Sequence, residues 1–203
     1  MVVIGSGGHS RVILDLAKAI DIGITNIYDD DSLKSNLKFL GHEIIVPVPM
    51  IIAGKAFIAI GNNSIRKSFS ESLLNVSWVT LIHPSATIAS DVIIGEGTVV
   101  MAGSIIQPGT RIGKHCIINT GACIDHNCVI GDFVHVAPNS SLAGGVSIGE
   151  GTFVGIGACL IPNVSIGEWT IIGAGSVVID NQPSMYLIFG TPAKPVKLIN
   201  REH

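Results

Sequence analysis

Histidine and cysteine side chains in the second half of the chain offer the first candidates for chemistry. His126 stands between Asp125 and Asn127, and His135 follows further along the same segment. An imidazole, with a reference pKa of about 6.5, suits proton transfer near neutral pH. Cysteine and histidine are also the side chains that bind zinc, and Cys123 lies close by. The segment therefore raises two alternatives, a general base and a metal site.

A glycine-rich turn near the start of the chain offers a second candidate site. Residues 2–4 predict a short buried strand, residues 5–8 a turn, and residues 10–20 an amphipathic helix. Glycines let the backbone approach an anion closely, and the free N–H groups at a helix N-terminus favour negative charge. The complete dinucleotide fingerprint is absent, because His9 stands near the expected helix-opening position. The turn therefore predicts a local phosphate site.

Two further predicted strands end in polar or small residues. Residues 26–28 are followed by Asp29 and Asp30, and residues 56–60 are followed by Gly61. The carboxyl ends of parallel strands meet at one edge of a sheet, where such proteins usually bind ligands. Carboxylates there can accept hydrogen bonds from a ribose, although the acidic run is equally consistent with a solvated turn. We expect the three strand ends to form one ligand-binding edge.

A six-residue repeat occupies most of the remaining chain. Every sixth residue from Ile82 to Val178 is aliphatic, and the residue four positions after each of them up to Ile172 is small or β-branched. Neither a helix nor simple strand alternation produces a strict period of six, whereas a coil of three short strands joined by turns does. The repeat predicts a parallel β-helix within residues 81–203. Residues 1–80 lack the period and are predicted to form a separate α/β domain.

The repeat also predicts which way each candidate side chain points. Ile124 and Cys128 occupy inward positions, so His126 between them should project away from the filled tube. Cys116 shares the small inward position of Cys128, where cysteine serves as a compact apolar residue. His135 is half an 18-residue coil away from His126 and should face a different side of the prism. A site that used both histidines would need two chains.

Composition limits the class of partner. The 203 residues carry a formal net charge of −3 with a pI near 6.1, which argues against general binding to nucleic acid or an anionic membrane. No stretch approaches the roughly 18 apolar residues of a membrane-spanning helix. The cysteines are too sparse for a disulfide scaffold. We therefore expect free thiols, a cytoplasmic location, and neither a membrane nor a nucleic-acid partner.

Four motifs together give the chain a specific resemblance. They are GSGGH, FIAIGNNSIRK, IDHNCVIGDFVHVAP and GTPAKP, at residues 5–9, 57–67, 124–138 and 190–195. The chain resembles the PglD/NeuD-like bacterial sugar acetyltransferases, which join a Rossmann-like domain to a left-handed β-helix. The resemblance implies a metal-independent homotrimer that acetylates the amino group of a UDP-linked 4-amino-4,6-dideoxy sugar with acetyl-CoA. The related sialic acid O-acetyltransferases provide the alternative acceptor.

The resemblance also implies roles for individual residues. Those that would contact the UDP-sugar are Gly7, Gly8, His9, Asp29, Asp30 and Gly61. Those that would lie along acetyl-CoA are His135, Ile156 and Ala174. His126 matches the general base, which takes a proton as the amine attacks the thioester. Close relatives place an acidic residue next, whereas this chain has Asn127, and Asp125 is the other candidate partner of the imidazole.

Three further expectations concern the rest of the β-helix region. Some hexapeptide β-helices resemble γ-type carbonic anhydrases, in which histidines of adjoining subunits hold zinc, although His126 and His135 lack a shared register. A non-catalytic scaffold is another alternative, because the repeat alone names no chemistry. Pro192 and Pro195 limit strand pairing and predict a C-terminal loop. His115, on a coil, is expected at the surface.

Overall fold

The computed structural model describes residues 1–200, and its first part is an α/β domain. The elements are β1 (Val2–Ile4), α1 (Gly8–Ala19), β2 (Asn26–Tyr28), a 3₁₀ helix (Ser32–Lys34), β3 (Lys38–Phe39), β4 (His42–Ile45), β5 (Ile51–Ile58), α2 (Asn63–Ser72) and β6 (Leu74–Trp78). The sheet order is β3-β4-β2-β1-β5-β6, with antiparallel pairing between β3 and β4 and parallel pairing elsewhere. The carboxyl ends of β1, β2 and β5 therefore meet at one edge, as predicted.

Two elements of this domain begin earlier than the sequence predicts. Helix α1 begins at Gly8 rather than at residue 10, since Gly7 adopts the extended N-cap conformation. Its buried side chains include Ile13 and Leu16, which face the sheet. Strand β5 begins at Ile51 rather than at residue 56, and its first half is largely exposed. An exposed half-strand lacks the apolar run on which the prediction rested.

The second part is a parallel β-helix whose coils consist of two-residue strands. In chain order they are β7 (Leu81–Ile82), β8 (Thr87–Ile88), β9 (Ile93–Ile94), β10 (Val99–Val100), β11 (Ile105–Ile106), β12 (Arg111–Ile112), β13 (Ile117–Ile118), β14 (Cys123–Ile124), β15 (Val129–Ile130), β16 (His135–Val136), β17 (Ser141–Leu142), β18 (Ser147–Ile148), β19 (Phe153–Val154), β20 (Cys159–Leu160), β21 (Ser165–Ile166), β22 (Ile171–Ile172) and β23 (Val177–Val178). Each strand from β7 to β20 pairs in parallel with the one a full coil further on, as Val99 does with Ile117. The predicted β-helix is confirmed.

Inward side chains fill the tube as the repeat predicts. The aliphatic positions, such as Ile118 and Ile124, are fully buried and form one continuous apolar cluster. Cys116 and Cys128 are also fully buried, and the cysteines of the described residues are free. Threonine and serine at the same small position bond to the next coil, as Thr98 Oγ1 does by donating to the carbonyl of Gly113 at 2.8 Å. The repeat thus satisfies its own inward polar groups.

Each turn of the coil places one residue in the left-handed region of φ. Most of these positions hold glycine or asparagine, the residues that adopt this conformation most readily. The exceptions in residues 97–175 are His115, Phe133 and Trp169, with φ of 51°, 58° and 52°. All three lie on the same corner of the prism, between the sheet that contains β15 and the sheet that contains β16. We call this the covered corner, because helix α2 lies against it.

The C-terminal segment forms a hairpin in place of the expected loop. Strands β24 (Tyr186–Gly190) and β25 (Ala193–Leu198) pair antiparallel, and β24 extends the sheet of β22. The prediction was wrong because Pro192 lies in the connecting turn and Pro195 on an edge strand, both of which tolerate proline. Residues 201–203, with which the predicted domain ends, lie outside the described residues.

The α/β domain and the β-helix share an apolar junction. We call the sheet of β7, β10, β13, β16, β19 and β22 the docking face. Outward side chains of this face, including Val99 and Ile117, are fully buried in one cluster with Ile13 and Leu16 of α1. Strand β6 ends at Trp78 and the first coil begins at Leu81. The short connection and the shared cluster hold the carboxyl-end edge of the sheet at a defined place on the β-helix.

Candidate active site

A cavity of about 360 Å³ lies at the carboxyl ends of β1, β2 and β5, and we call it the strand-end pocket. The residues for which the resemblance implied contact with the nucleotide sugar all line it, namely Gly7, Gly8, His9, Asp29, Asp30 and Gly61. Residues that the sequence did not single out also contribute, among them Ser6 and Lys34. Residues more than 50 positions apart in the sequence thus come together at the edge of one sheet.

The glycine turn of the strand-end pocket has the features of an anion site. Gly7 caps α1 without a side chain, so the first N–H groups of the helix have no side-chain acceptor from the cap. Ser10 Oγ donates to the carbonyl of Gly5 at 2.7 Å and holds the turn in place. His9 Nε2 is buried and has no hydrogen-bond partner within residues 1–200. Burial, followed by the charge of Arg66, lowers the pKa of His9 to about 4, so its imidazole is neutral.

The two carboxylates of the pocket differ in how much of their hydrogen-bonding capacity remains. Asp29 Oδ2 accepts from Ser6 N, Ser6 Oγ and Lys34 Nζ at 2.8, 2.5 and 2.8 Å. Burial alone would raise the pKa of Asp29, but the hydrogen bonds from Lys34, Ser6 and the backbone outweigh it and lower the pKa to about 2. Asp30 Oδ1 accepts from the backbone of Val48 at 2.8 Å. Within residues 1–200, no donor reaches Asp30 Oδ2, which is therefore the better placed acceptor for a ligand.

His126 lies on an exposed corner between β14 and β15, which we call the open corner. The amide nitrogen of Asn127 lies 3.0 Å from His126 Nδ1. The carboxylate of Asp125 instead accepts from the backbone N–H of His126 at 2.7 Å. Of the two candidate partners, Asn127 therefore contacts the imidazole and Asp125 orders the turn that carries it.

Gly144, which the sequence did not single out, supports the imidazole from the next coil. A Cβ atom at Gly144 would lie 2.5 Å from Cε1 and 2.6 Å from Nε2 of His126, so the ring rests against the glycine backbone. The N–H of Gly145 donates to the carbonyl of His126 at 2.9 Å and fixes the spacing of the two coils. The 18-residue period would have identified Gly144, because it is one full coil after His126.

His135 lies on the docking face in β16, half-buried beside the strand-end pocket. Asn119 Nδ2 contacts its Nε2 at 3.0 Å, and Phe153 packs edge-on at 5.0 Å between ring centroids. Burial lowers the pKa of His135 to about 3, with contributions from the charges of Arg66 and His9, while a hydrogen bond with the Gly61 backbone opposes the shift. The structure thus brings His135 to the Gly61 end of the pocket.

The remaining predicted residues lie on other parts of the prism. Ile156 and Ala174 are exposed and stack one coil apart at the corner that follows the docking face. His126 and His135 lie on different sides, as the spacing predicts. The residues that line the strand-end pocket include none from the open corner. One chain therefore presents a ligand pocket and an exposed imidazole that do not meet.

His115 is buried rather than exposed, contrary to the expectation from sequence. Its ring stacks on Phe133 at 5.3 Å and meets Trp78 edge-on at 4.9 Å. Burial, followed by the charge of Arg66, lowers its pKa to about 4. The expectation failed because the repeat does not reveal that α2 covers this corner. Arg66 of α2 was likewise not singled out, although it is 1% exposed and contacts the backbone of both domains.

Two further properties concern residues 1–200 as a whole. No three histidine, cysteine, aspartate or glutamate side chains in this range are grouped closely enough to hold a metal ion. In the same range, no helix combines the length and the apolar character needed to cross a membrane.

Comparison with protein families matches both parts of the chain. Residues 1–73 match the PglD N-terminal domain, and residues 91–126 and 145–180 match the bacterial transferase hexapeptide repeats. A curated relative, the UDP-N-acetylbacillosamine N-acetyltransferase of Bacillus subtilis (strain 168), is 42% identical over 49% of this chain. The match spans 50% of the length of that relative.

Solved structures match almost the whole chain. The acetyltransferase domain of PglB from Neisseria gonorrhoeae FA1090 is 34% identical, with a TM-score of 0.87 over 96% of this chain and 98% of its own. A mutant of perosamine N-acetyltransferase from Caulobacter crescentus, in complex with CoA and GDP-perosamine, is 37% identical. Its TM-score is also 0.87, over 97% of this chain and 96% of its own. The arrangement of the two domains is therefore shared with both.

Proposed function

We propose, from the premise that this chain belongs to the PglD/NeuD-like hexapeptide-repeat sugar acetyltransferases, that it transfers an acetyl group from acetyl-CoA to a nucleotide-linked amino sugar. The finer proposal names a UDP-linked 4-amino-4,6-dideoxy sugar as the acceptor and His126 as the general base. The strand-end pocket is the observation that carries the substrate class, because an uncapped helix N-terminus and a free carboxylate oxygen suit a diphosphate and a ribose.

The residues of the strand-end pocket would contact different parts of the nucleotide sugar. The N–H groups at the start of α1, with Gly7 and Gly8, would bind the phosphates, and His9 Nε2 is the unpartnered polar atom beside them. Asp30 Oδ2 would accept from the ribose, whereas Asp29 holds the turn through Ser6 and Lys34. Gly61 would lie toward the sugar. One relative is named for a UDP-sugar, and another was solved in complex with GDP-perosamine. The identity of the nucleobase is therefore the finer question.

The proposed acetyl transfer involves three groups: the amine of the sugar, the thioester of acetyl-CoA and the imidazole of His126. As the amine nitrogen attacks the acetyl carbonyl, a C–N bond forms and a proton passes from nitrogen to Nε2 of His126. The tetrahedral intermediate then collapses, the C–S bond breaks, and the imidazolium returns the proton to the thiolate of coenzyme A. For Nε2 to accept, Nδ1 must carry the ring hydrogen, so the Asn127 amide, whose nitrogen lies against Nδ1 in the structure, would turn over to present its oxygen. Asn127 therefore orients the base without adding a negative charge.

Because the strand-end pocket and His126 do not meet within one chain, we propose that the active site is completed by a second copy in a homotrimer. Exposed apolar side chains on the outer strands and at a corner support this, including Ile93 at 53% and Val129 at 50% on strands and Ile156 at 57% at the corner after the docking face. Acetyl-CoA would lie in the groove between neighbouring prisms, along Ile156 and Ala174, with its thioester end toward His135. Free thiols and the need for acetyl-CoA support a cytoplasmic site of action.

The activity is tested by thiol release from acetyl-CoA with a panel of acceptors, in the presence and absence of a chelator. UDP-linked and GDP-linked 4-amino sugars and free sialic acid form the panel. We expect release with the UDP-amino sugar, unaffected by the chelator. Preference for the GDP-sugar would change the nucleotide, turnover of sialic acid alone would change the reaction to O-acetylation, and silence with every acceptor would contradict the proposed function.

The shared site is tested by mixing two inactive variants. Chains with His126→Ala keep an intact strand-end pocket, and chains with Asp30→Ala keep the general base His126. Co-expressed, they should form mixed trimers in which some sites contain both intact parts, so activity returns. Failure of the mixture to regain activity, or a monomeric mass in solution, would contradict the site between chains.

A further inference from the structure

Arg66 is buried at the junction of the two domains with all of its N–H groups engaged. Its side chain belongs to α2 and is 1% exposed. The five hydrogen bonds run from Nε to His115 O, from one terminal nitrogen to Ile60 O and Gly61 O, and from the other to Phe133 O and Asn63 Oδ1. Their lengths are 2.7, 3.0, 3.2, 2.8 and 2.8 Å. A guanidinium has five donors, so none is left unsatisfied.

Every acceptor of Arg66 is electrically neutral. Four are backbone carbonyls and one is a side-chain amide, and no ion pair within residues 1–200 includes this arginine. Burying a charge is costly unless an opposite charge compensates it. Burial lowers the pKa of Arg66 to about 10, which still leaves it protonated at neutral pH. Arg66 therefore places an uncompensated positive charge inside the protein.

The geometry of the β-helix explains why this charge stays in place. The carbonyls of His115 and Phe133 belong to successive coils at the covered corner, and Asn63 Nδ2 donates to the carbonyl of Gly151 in the next coil at 3.0 Å. Asn63 and Arg66 are three residues apart on α2, about 4.5 Å along the helix axis, which approximates the strand spacing of about 4.8 Å. Asn63 and Arg66 on α2 are therefore spaced so that each contacts the carbonyls of neighbouring coils.

The strand-end pocket lacks a charge that could attract a diphosphate. Its lining includes Asp29, Asp30 and Lys34, which together carry one net negative charge, and the ammonium of Lys34 is already paired with Asp29 at 2.8 Å. The walls nearest Arg66 are the backbone of Ile60 and Gly61, whose carbonyls Arg66 itself binds. The formal side-chain charges of the lining, taken alone, would therefore repel an anion.

We propose that Arg66 is the counter-charge for the diphosphate of the bound nucleotide sugar, acting through the wall of the strand-end pocket. The inference rests on the proposed function. Arg66 does not line the pocket, so it acts as a fixed field rather than as a direct ligand, and its neutral partners leave that field unquenched. A charge in a protein interior is screened far less than one at the surface. The direct contacts remain with the start of α1 and His9.

The test compares binding of UDP and uridine, which differ by the diphosphate, to the full chain by calorimetry. Three variants are needed: Arg66→Gln removes the charge, Arg66→Lys keeps it with fewer hydrogen bonds, and Lys18→Gln removes an exposed charge from the last turn of α1, at the opposite end of that helix from the pocket. We expect Arg66→Gln to weaken UDP binding about tenfold, which is the interaction of two unit charges about 12 Å apart at an effective dielectric constant of about 20. Uridine binding should change less than twofold, Arg66→Lys should keep the preference for UDP, and Lys18→Gln should match the parent chain.

Equal weakening of UDP and uridine in Arg66→Gln would overturn the inference and leave Arg66 with a structural role only. If Arg66→Gln does not fold, Arg66→Lys decides alone: a retained preference for UDP supports the counter-charge, and a lost one overturns it. A parent chain that binds GDP but not UDP moves the same comparison to GDP and guanosine. A parent chain that binds no nucleoside diphosphate contradicts the proposed function itself.

Discussion

The open corner and the covered corner of the β-helix repeat the same backbone with different side chains. The left-handed position of the open corner holds Asn127 and Asn163, which adopt it readily. At the covered corner it holds His115, Phe133 and Trp169, residues for which a left-handed φ costs about 1–2 kcal/mol each. These three are nonetheless 4%, 8% and 7% exposed, because α2 and its neighbours pack against them. Burial offsets the backbone strain.

The contrast shows how one repeat supports two roles. At the covered corner, backbone carbonyls accept from Arg66 and Asn63, so the corner positions the strand-end pocket. At the open corner, the imidazole of His126 remains exposed, held by Asn127 and Gly144. The repeat gives every coil the same rigid backbone. The side chains that differ from the repeat at each corner decide whether that corner binds the other domain or presents an exposed imidazole.

The largest expected effect is on kcat, and it tests whether the open corner acts independently of the strand-end pocket beside the covered corner. Replacing His126 with alanine should lower kcat at least about 100-fold, because the proposed proton acceptor is lost. Binding of the nucleotide sugar should not change, since the strand-end pocket lies on another side. Steady-state kinetics and calorimetry measure the two quantities, with His83→Ala, on the first coil, as the control. An unchanged kcat would remove His126 from the mechanism, and a lost affinity would show that the corners are not independent.

The next effect concerns how the open corner holds its imidazole. A methyl group at Gly144 must displace the ring of His126, whose Cε1 would lie 2.5 Å from the new Cβ. The φ of Gly144 is not in the left-handed region, so alanine adds no backbone strain there. We expect Gly144→Ala to lower kcat about tenfold or more with little change in KM, since small misplacements of reacting groups are costly.

Gly23→Ala is the matched control for this substitution, because nothing lies within 4 Å of a Cβ at Gly23. It should leave kcat unchanged. If Gly144→Ala were as active as Gly23→Ala, the contact between the two coils would have no part in orienting the base.

The strain at the covered corner predicts an unusual order of stabilities. Phe133→Ala should lower the free energy of unfolding by about 3 kcal/mol, because a buried ring is lost. Phe133→Gly loses the same ring but relieves the φ of 58°, so it should be more stable than the alanine variant by about 1 kcal/mol. Urea denaturation measures both. An alanine variant at least as stable as the glycine variant would show that the corner stores no strain.

The smallest expected effect is a dependence of stability on pH that originates in histidines buried at the covered corner and beside the strand-end pocket. His9 and His115 have pKa values lowered to about 4, and His135 to about 3, mainly by burial. The folded protein keeps them neutral, whereas the unfolded chain binds protons below a pH of about 6.5. Stability should therefore be complete above that pH and fall as the pH decreases toward 4.

Unfolding free energies measured by urea denaturation between pH 7.5 and 5 give the number of protons taken up on unfolding. In His115→Asn, which keeps a residue suited to the left-handed turn, that number should decrease by a fraction that approaches one at the lower pH. An unchanged slope would mean that His115 is not held neutral in the folded protein.

Several parts of the site could be read from residue types and spacing. The glycine turn, the acidic strand end and Gly61 were predicted to share one edge, and all of them line the strand-end pocket. The outward position of His126 followed from the inward residues on either side of it. These predictions succeed because strand ends and coil positions repeat with fixed periods, so local pattern determines direction.

The sequence by itself determined the two architectures, the period of 18 residues per coil and the separation of His126 from His135, because backbone periodicity carries that information. Only the tertiary structure decided that His115 is buried, that Arg66 binds three segments with neutral acceptors, and that Asn127 rather than Asp125 contacts the imidazole. The physical reason is that burial, hydrogen-bond partners and fields depend on which surface covers a residue. A repeat presents the same backbone at every coil, and the element packed on each corner decides what the side chains there can do.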